Sequence, residues 1–454
     1  MATLVHGERT GDVATRGVSG GGAGGRAKRP RVVIIGGGFA GYTAAKRLRR
    51  ANVDITLLDR TNHHLFQPLL YQVALATLNP GDIAVPIRWL LRGQKNTEVL
   101  MAEATSIDVD RRIVFIDGGR ELPYDYLVVA TGTRHSYFGH AAWERLAPGL
   151  KSLEDAMEIR NRFLAAFEEA ERTDDPVERQ AYQTFVLVGG GPTGVELAGF
   201  IPDIARHALR KDFRRVDTLQ TRVLLLEAGP RILPAFPESL AIKARRDLER
   251  LGVTVRTGAM VTRIEPDAVY VGDERIPTHT VFWAAGNQAS PLARTLNVPL
   301  DRAGRVLVEP DLSIPGHPDV FVAGDLVAIQ DTHGRLVPGV APAANQMGWD
   351  AGGNILASLE HRPRKPFKYF DKGNLATIGR HRAIAQIGPI KLSGHIAWFM
   401  WLFIHILYLA GFRNRVTVLI QWTYAYLTWQ RGVRLITDVE RPMNEPVSPL
   451  FAGR

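Results

Sequence analysis

Gly36-x-Gly38-x-x-Gly41 follows the apolar run Val32–Ile35 in "RVVIIGGGFAGYTAAKRL" and precedes an alanine-rich stretch of helical character. A second β-branched run, "VDITLLDR", ends in Asp59, 23 residues beyond Gly36. In a strand–turn–helix of this kind Gly36 permits the tight turn and Gly38 lets the backbone come up against a pyrophosphate. Gly41 lets helix and strand pack closely. The helix N-terminus adds amide donors and partial positive charge, and an acid placed like Asp59 accepts hydrogen bonds from a ribose hydroxyl pair.

The pattern recurs in "TFVLVGGGPTGVELAGF", where Gly189-x-Gly191-x-x-Gly194 opens a helix with Pro192 suited to its first turn. The following run, "TRVLLLEAG", ends in Glu227, 38 residues beyond Gly189. An acid here repels a 2′-phosphate and favours NADH over NADPH, with Arg231 nearby as the residue that tempers the preference. Two complete fingerprints call for two dinucleotides, and the economical pair is FAD held as a prosthetic group and NADH exchanging with solvent. Each unit ends in a strand exit of small residues, Ala130-Thr131-Gly132 and Ala284-Ala285-Gly286, where backbone can approach a cofactor. The strand Val320–Ala323 delivers Gly324-Asp325 at its carboxyl end, where open α/β sheets bind ligands, which assigns Asp325 to the FAD ribityl chain.

The elements needed to hold these residues define the fold class: α/β, with two Rossmann-like units in one chain. Glu196 follows the second turn by two residues, where an acid aimed at pyrophosphate would be repelled, so its carboxylate points elsewhere. The alternative is an acid at a helix N-terminus stabilised by the dipole. "FQPLLYQ" (66–72) is apolar with a polar end and suits packing beside a flavin, which makes Tyr71 and Gln72 candidate lining residues. His63-His64 lacks a third ligand at metal spacing, so a surface or capping role is expected and no metal site.

Composition narrows the classes further. The 454 residues suffice for two or three domains, and a 45% hydrophobic, 22% charged make-up is globular. The net charge of +10 admits nucleic acid, anionic lipid or acidic metabolites as partners, but no nucleic-acid signature accompanies it. With no cysteine in the chain, disulfides, Fe–S clusters and a redox dithiol are excluded. Residues 1–30 read as a flexible basic tail without the apolar stretch of an export signal, so the bulk of the chain is placed in the cytoplasm.

The other end is different. Ile396–Gly411 has no charged residue apart from His405, and as a helix its 16 residues reach ~24 Å, short of the ~30 Å hydrocarbon core. Beyond "RNR", Val418, Leu419, Trp422, Tyr426, Trp429 and Val433 recur at helical spacing. Four of the eight tryptophans fall in this region, whose charges are all arginine. That composition suits helices lying in the headgroup layer with rings at the interface and arginines on anionic lipid; a core helix pair or a homodimer interface is the other reading. Too few apolar spans exist for a proton channel.

Fingerprint, ATG, second fingerprint and VAGD, in that order, resemble the two-dinucleotide-binding flavoproteins of glutathione-reductase-like architecture. "NHHLFQPLLYQVALATLNPGDIAVPIR" (62–88), "PGVAPAANQMG" (338–348), "DKGNLATIGRHRAIA" (371–385) and the aromatic tail are similar to bacterial type II NADH dehydrogenase. The resemblance implies a discontinuous FAD domain at 30–150 and 295–385, an NADH domain at 151–294 and membrane-associating helices at 390–440. It implies a peripheral, monotopic, single-subunit NADH:quinone oxidoreductase on the cytoplasmic face of the membrane, without proton pumping. It also places Glu196 at the flavin–nicotinamide contact and Ala341 and Gln346 at the quinone, Gln346 opening a helix. Where the family motif often reads A-Q-x-A-x-Q, this chain has Pro342 in place of the first glutamine. The rival readings are a soluble-type NADH oxidase or ferredoxin-type reductase of the same superfamily, and a low-turnover flavin redox sensor.

Overall fold

The computed structural model describes residues 29–428 and 433–437, so the basic tail up to residue 28, Trp429 and Arg431 lie outside the described residues. Strands β1 (Arg31–Ile35), β2 (Asp54–Asp59), β3 (Thr97–Met101) and β4 (Tyr126–Val129) lie parallel in the order β4-β1-β2-β3. Their inward residues are Val, Ile and Leu almost throughout, because strands covered on both faces have no polar side to offer. Helix α1 (Phe39–Arg47) leaves the first glycine turn, and the short, buried α2 (Leu70–Ala74) follows β2. A capping box between Ser152 and Asp155 starts α3 (Leu153–Arg172), which leads into the second sheet.

That sheet contains β5 (Thr184–Val188), β6 (Arg222–Glu227), β7 (Val253–Thr257) and β8 (Thr280–Trp283), all parallel in the order β7-β6-β5-β8. Helix α4 (Pro192–Asp203) leaves β5. The chain then returns, and β9 (His317–Val322) pairs in parallel with β4 of the first sheet. Helix α5 (Ala341–Leu359) lies on α1 so closely that a Cβ on Gly348 would stand 2.1 Å from the Ala40 carbonyl oxygen. The two crossings between the sheets are themselves hydrogen-bonded, Thr133–His135 antiparallel to Asn287–Ala289.

An antiparallel sheet of β10 (Asn374–Thr377), β11 (Ala383–Ile387) and β12 (Ile390–Gly394) comes next, then α6 (His395–Tyr408) and α7 (Phe412–Thr428). The stretch 295–385 expected to complete the FAD domain spans β9, α5, β10 and the start of β11. Ala376, Ile378 and Ala383–Ala385 share their core with α4 of the second unit and with Trp398 and Trp401, not with the first sheet.

The C-terminal pair also departs from the expected orientation. Trp398, Trp401 and Trp422 are buried in the protein rather than set at an interface. Val418 and Trp422 face inward while Leu419, expected on the same face, is exposed. Trp422 is anchored from inside, its Nε1–H donating to Gln72 Oε1 at 2.7 Å, and the Trp401 ring stacks on His405 with centroids 4.3 Å apart. What faces outward is aliphatic and phenyl: Ile396, Phe399, Phe403 and Leu407 on α6, and Phe412, Val416, Ile420 and Leu427 on α7. Among the described residues no helix is long and apolar enough to cross a membrane.

Candidate active site: two dinucleotide cradles

The two glycine turns have the same construction. Gly36 and Gly189 have φ of +104° and +111°, a backbone state open to glycine, and Cβ atoms there would strike the neighbouring strand exits at Ala130 and Ala284. A Cβ on Gly41 would lie 1.8 Å from the Gly36 carbonyl oxygen, and one on Gly194 would lie 1.9 Å from that of Gly189. By contrast, Gly38 and Gly191 face open space with nothing within 4 Å of an added Cβ. Those two positions are where a pyrophosphate can meet backbone.

The acids close the turns. Gly37 N–H donates to Asp59 Oδ2 and Gly190 N–H to Glu227 Oε2, each at 2.6 Å. The second oxygens accept from Thr61 N–H at 2.7 Å and Gly229 N–H at 2.6 Å. Each carboxylate is thus fixed at the edge of its cradle, with lone pairs remaining for a ribose. The Arg231 guanidinium donates to the carbonyls of Phe236 and Pro234 and makes no ion pair with Glu227 among the described residues.

Around the first cradle, Thr131 carries a buried hydroxyl without a partner at the β4 exit, next to Gly132 at φ +64°. Gly324 and Asp325 stand at the end of β9; burial pushes the Asp325 carboxyl up, opposed by the fields of Lys151 and Arg305. Among the described residues Asp325 has no hydrogen-bond partner. The orphaned Thr131 hydroxyl, the uncommitted carboxyl and the open floor at Gly38 are the donor and acceptor set a flavin dinucleotide requires, so the residues fit FAD. At the second exit Gly286, at φ +75°, lies against the exposed ring of Phe138.

Lys151 is a residue that sequence reasoning missed. Its ammonium donates to Thr133 Oγ1 at 2.9 Å, two positions beyond Thr131, and burial lowers its pKa against the fields of Asp325 and Asp155. Lying outside any motif, it is brought to the cradle by the crossover before α3. His64 is a correction. It is buried rather than superficial, and its Nδ1–H donates to the Gly37 carbonyl at 2.9 Å. Burial keeps its pKa down, so the ring is neutral there.

Glu196 sits in the second turn of α4, past the reach of the first-turn amides, so the dipole reading does not describe it. Burial lifts its pKa to about 8, against a backbone hydrogen bond from Thr377 on β10. Tyr71 and Gln72 are both buried on α2, with the Gln72 amide donating to the Tyr71 hydroxyl at 2.9 Å. The Tyr71 ring lies 5.2 Å from Phe200 on α4, the helix that carries Glu196.

Gln346 does not open a helix. α5 begins five residues earlier at Ala341, with Pro342 in the first turn, where a missing N–H costs nothing. The Gln346 amide is committed to backbone: Phe370 N–H donates to its Oε1 at 2.8 Å, and its Nε2 donates to the Phe370 carbonyl at 3.0 Å and to the Pro342 carbonyl at 3.2 Å. A cavity of about 600 Å³ lies elsewhere, at the amino ends of β5–β7 beside Thr184, Arg222 and Gly252, on the opposite edge of the sheet from the cradle.

A chain with two such cradles, one on each of two linked parallel sheets, is a dinucleotide-dependent flavoprotein of the pyridine nucleotide-disulphide oxidoreductase class, whose family model matches residues 30–348. The model of the NDH2 C-terminal domain matches residues 372–429. Type II NADH:quinone oxidoreductase Ndh of Mycobacterium tuberculosis is 47% identical over 90% of this chain and 91% of its own length. NdhA of the same organism is 45% identical over 90% of each. Among solved structures, NDH2 of Plasmodium falciparum in complex with NADH has a TM-score of 0.82 at 19% identity, covering 89% of this chain and 100% of that one. The chain belongs to the type II NADH:quinone oxidoreductases.

Proposed function

We propose that the chain carries out its family's reaction, NADH oxidation coupled to reduction of a membrane quinone without proton pumping, with FAD in the first cradle and NADH in the second. The observation that carries this reading is the pairing of two complete cradles with an outward apolar face on the helices that pack against segment 66–83. Bound FAD supplies the redox chemistry, accepting hydride from NADH and passing two electrons on to quinone. Gly38, Thr131 and Asp325 hold the prosthetic group, Lys151 places a cation beside it, and Gly191, Glu227 and Gly286 receive the exchanging NADH.

Burial keeps Glu196 protonated up to pH ~8, so that its carboxyl, beside Thr377 on β10, holds a proton it can offer to a quinone oxygen. Tyr71 and Gln72 line the quinone side. Gln346 acts through position, fastening α5 to the Phe370 segment.

The outer faces of α6 and α7 rest in the cytoplasmic leaflet, with Arg413 and Arg415 toward anionic headgroups. Lipid is favoured over a second copy of the chain because residues 395–428 contain no acid to complement their arginines. Deleting the chain beyond residue 390 would remove Trp398, Trp401 and Trp422 from the core they share with α2 and α4, so charge is the cleaner probe. The F399E/F403E variant is expected to keep NADH-dependent bleaching of the flavin band while losing vesicle co-sedimentation and quinone reduction in membranes. Undiminished co-sedimentation would overturn the membrane reading. Failure of a short-chain quinone to restore the band in the parent enzyme would overturn the quinone reading.

A further inference from the structure

Three polar or aromatic contacts join the lipid-facing helices to segment 66–83, and one of them continues inward. Trp422 Nε1–H donates to Gln72 Oε1 at 2.7 Å, and Gln72 Nε2 donates to the Tyr71 hydroxyl at 2.9 Å. All three side chains are buried, and Tyr71 reaches α4 through Phe200. The flanking contacts are Asn414 Nδ2 to the Gly81 carbonyl at 3.2 Å and the edge of Phe66 on the His405 ring, 6.3 Å between centroids. The His405 pKa is pushed down to about 4 by burial, so that ring adds no charge to the seam.

A buried primary amide has no rotational freedom when both of its ends are engaged. If Trp422 stops donating, Gln72 Oε1 is left as an unsatisfied acceptor, and flipping the amide would present that oxygen to the Tyr71 hydroxyl instead of an N–H. The indole therefore fixes which end of Gln72 meets Tyr71. One turn of α7 carries both the indole on the inner side and exposed Leu419 and Ile420 on the outer side. Seating of the outer side in lipid and orientation of Tyr71 are then one rigid-body event.

We infer that Trp422 is a positioning residue for quinone reduction, acting through Gln72 on Tyr71 and making that step dependent on how α7 is seated. This rests on the reading of Tyr71 and Gln72 as quinone-side residues. Gly191, Glu227 and Gly286 of the NADH cradle lie outside this chain of contacts.

The test is stopped-flow measurement of the two half-reactions separately on full-length FAD-loaded enzyme in phosphatidylglycerol-containing vesicles, comparing the parent with W422F. Phenylalanine keeps an aromatic ring in the site and removes only the donor and part of the ring volume. Flavin reduction by NADH is expected to stay within twofold, while the KM for a short-chain quinone rises on the order of tenfold with a smaller change in kcat. W422F combined with Q72L should be no worse than Q72L alone, since residues acting in series are not additive. Equal quinone KM in W422F and parent, or additive losses in the double variant, would overturn the inference. If W422F loses thermal stability, the double-variant comparison still decides, because a packing defect adds to Q72L whereas a broken relay does not. A parent enzyme that fails to reduce the quinone at all would instead indict the functional reading.

Discussion

The two cradles share every backbone rule and differ in what covers them. In the second, the carbonyl of the middle glycine is met by a backbone amide, Leu233 N–H to Gly190 O at 2.7 Å. In the first, the corresponding carbonyl of Gly37 is met by the buried ring of His64, which also packs against Phe39 and Tyr42. α5 lies across α1 of the first, whereas Asp59 and Glu227, the acids at the two edges, are half-buried alike. The difference in cover lies over the helix and the turn carbonyl, not at the ribose edge. The same motif is tuned by its cover.

The harshest way to break that comparison is to place the same methyl in each turn. With about 1.8 Å and 1.9 Å available, both substitutions must shift the helix, but the consequences should separate. G41A is expected to yield protein without flavin and largely unfolded. G194A is expected to remain yellow, with flavin reduction by NADH slowed at least a hundredfold; flavin content per chain and anaerobic bleaching distinguish them. Equal flavin loss in both would show that the cradles are not separable.

A smaller effect is expected at Glu196. With its pKa raised from 4.5 to about 8, the folded protein holds a proton there that the unfolded chain has lost. Its contribution to stability therefore declines as pH rises from ~4.5 to ~8 and levels off above. E196Q should lose that decline, and the quinone half-reaction, falling in the parent as pH passes through about 8, should become flat and uniformly slower, roughly tenfold at pH 7. A profile from pH 6 to 10 that is unchanged by the substitution would detach Glu196 from the chemistry.

The smallest change sharpens the comparison from the side. Only the first cradle relies on a side chain for its glycine carbonyl, so H64L removes about 1 kcal/mol of hydrogen bonding. FAD release, followed by fluorescence, should quicken several-fold with the KM for NADH unaltered.

How far these features were legible follows from their range. The glycines, Asp59 and Glu227 act within one βαβ unit, and their spacing located both turns and the acids that close them. The family resemblance extended that reading to the activity and the tail. Tertiary placement was not legible. His64 looked superficial because a histidine pair carries no sign of the carbonyl it will meet 27 residues back. Lys151 has no motif, and Gln346 is expected at a helix start although the helix already begins at Ala341 with Pro342 in its first turn. In the tail, helical period identified two helices but aimed the indoles outward. The period is blind to a glutamine acceptor 350 residues away.

The ladder between Thr133–His135 and Asn287–Ala289 ties the two crossings edge to edge. A swing of one lobe against the other would first have to break these pairings. With the pivot laced in this way, the travelling falls to the small diffusing molecules, so raising the medium's viscosity is expected to slow substrate arrival more than the steps within the protein.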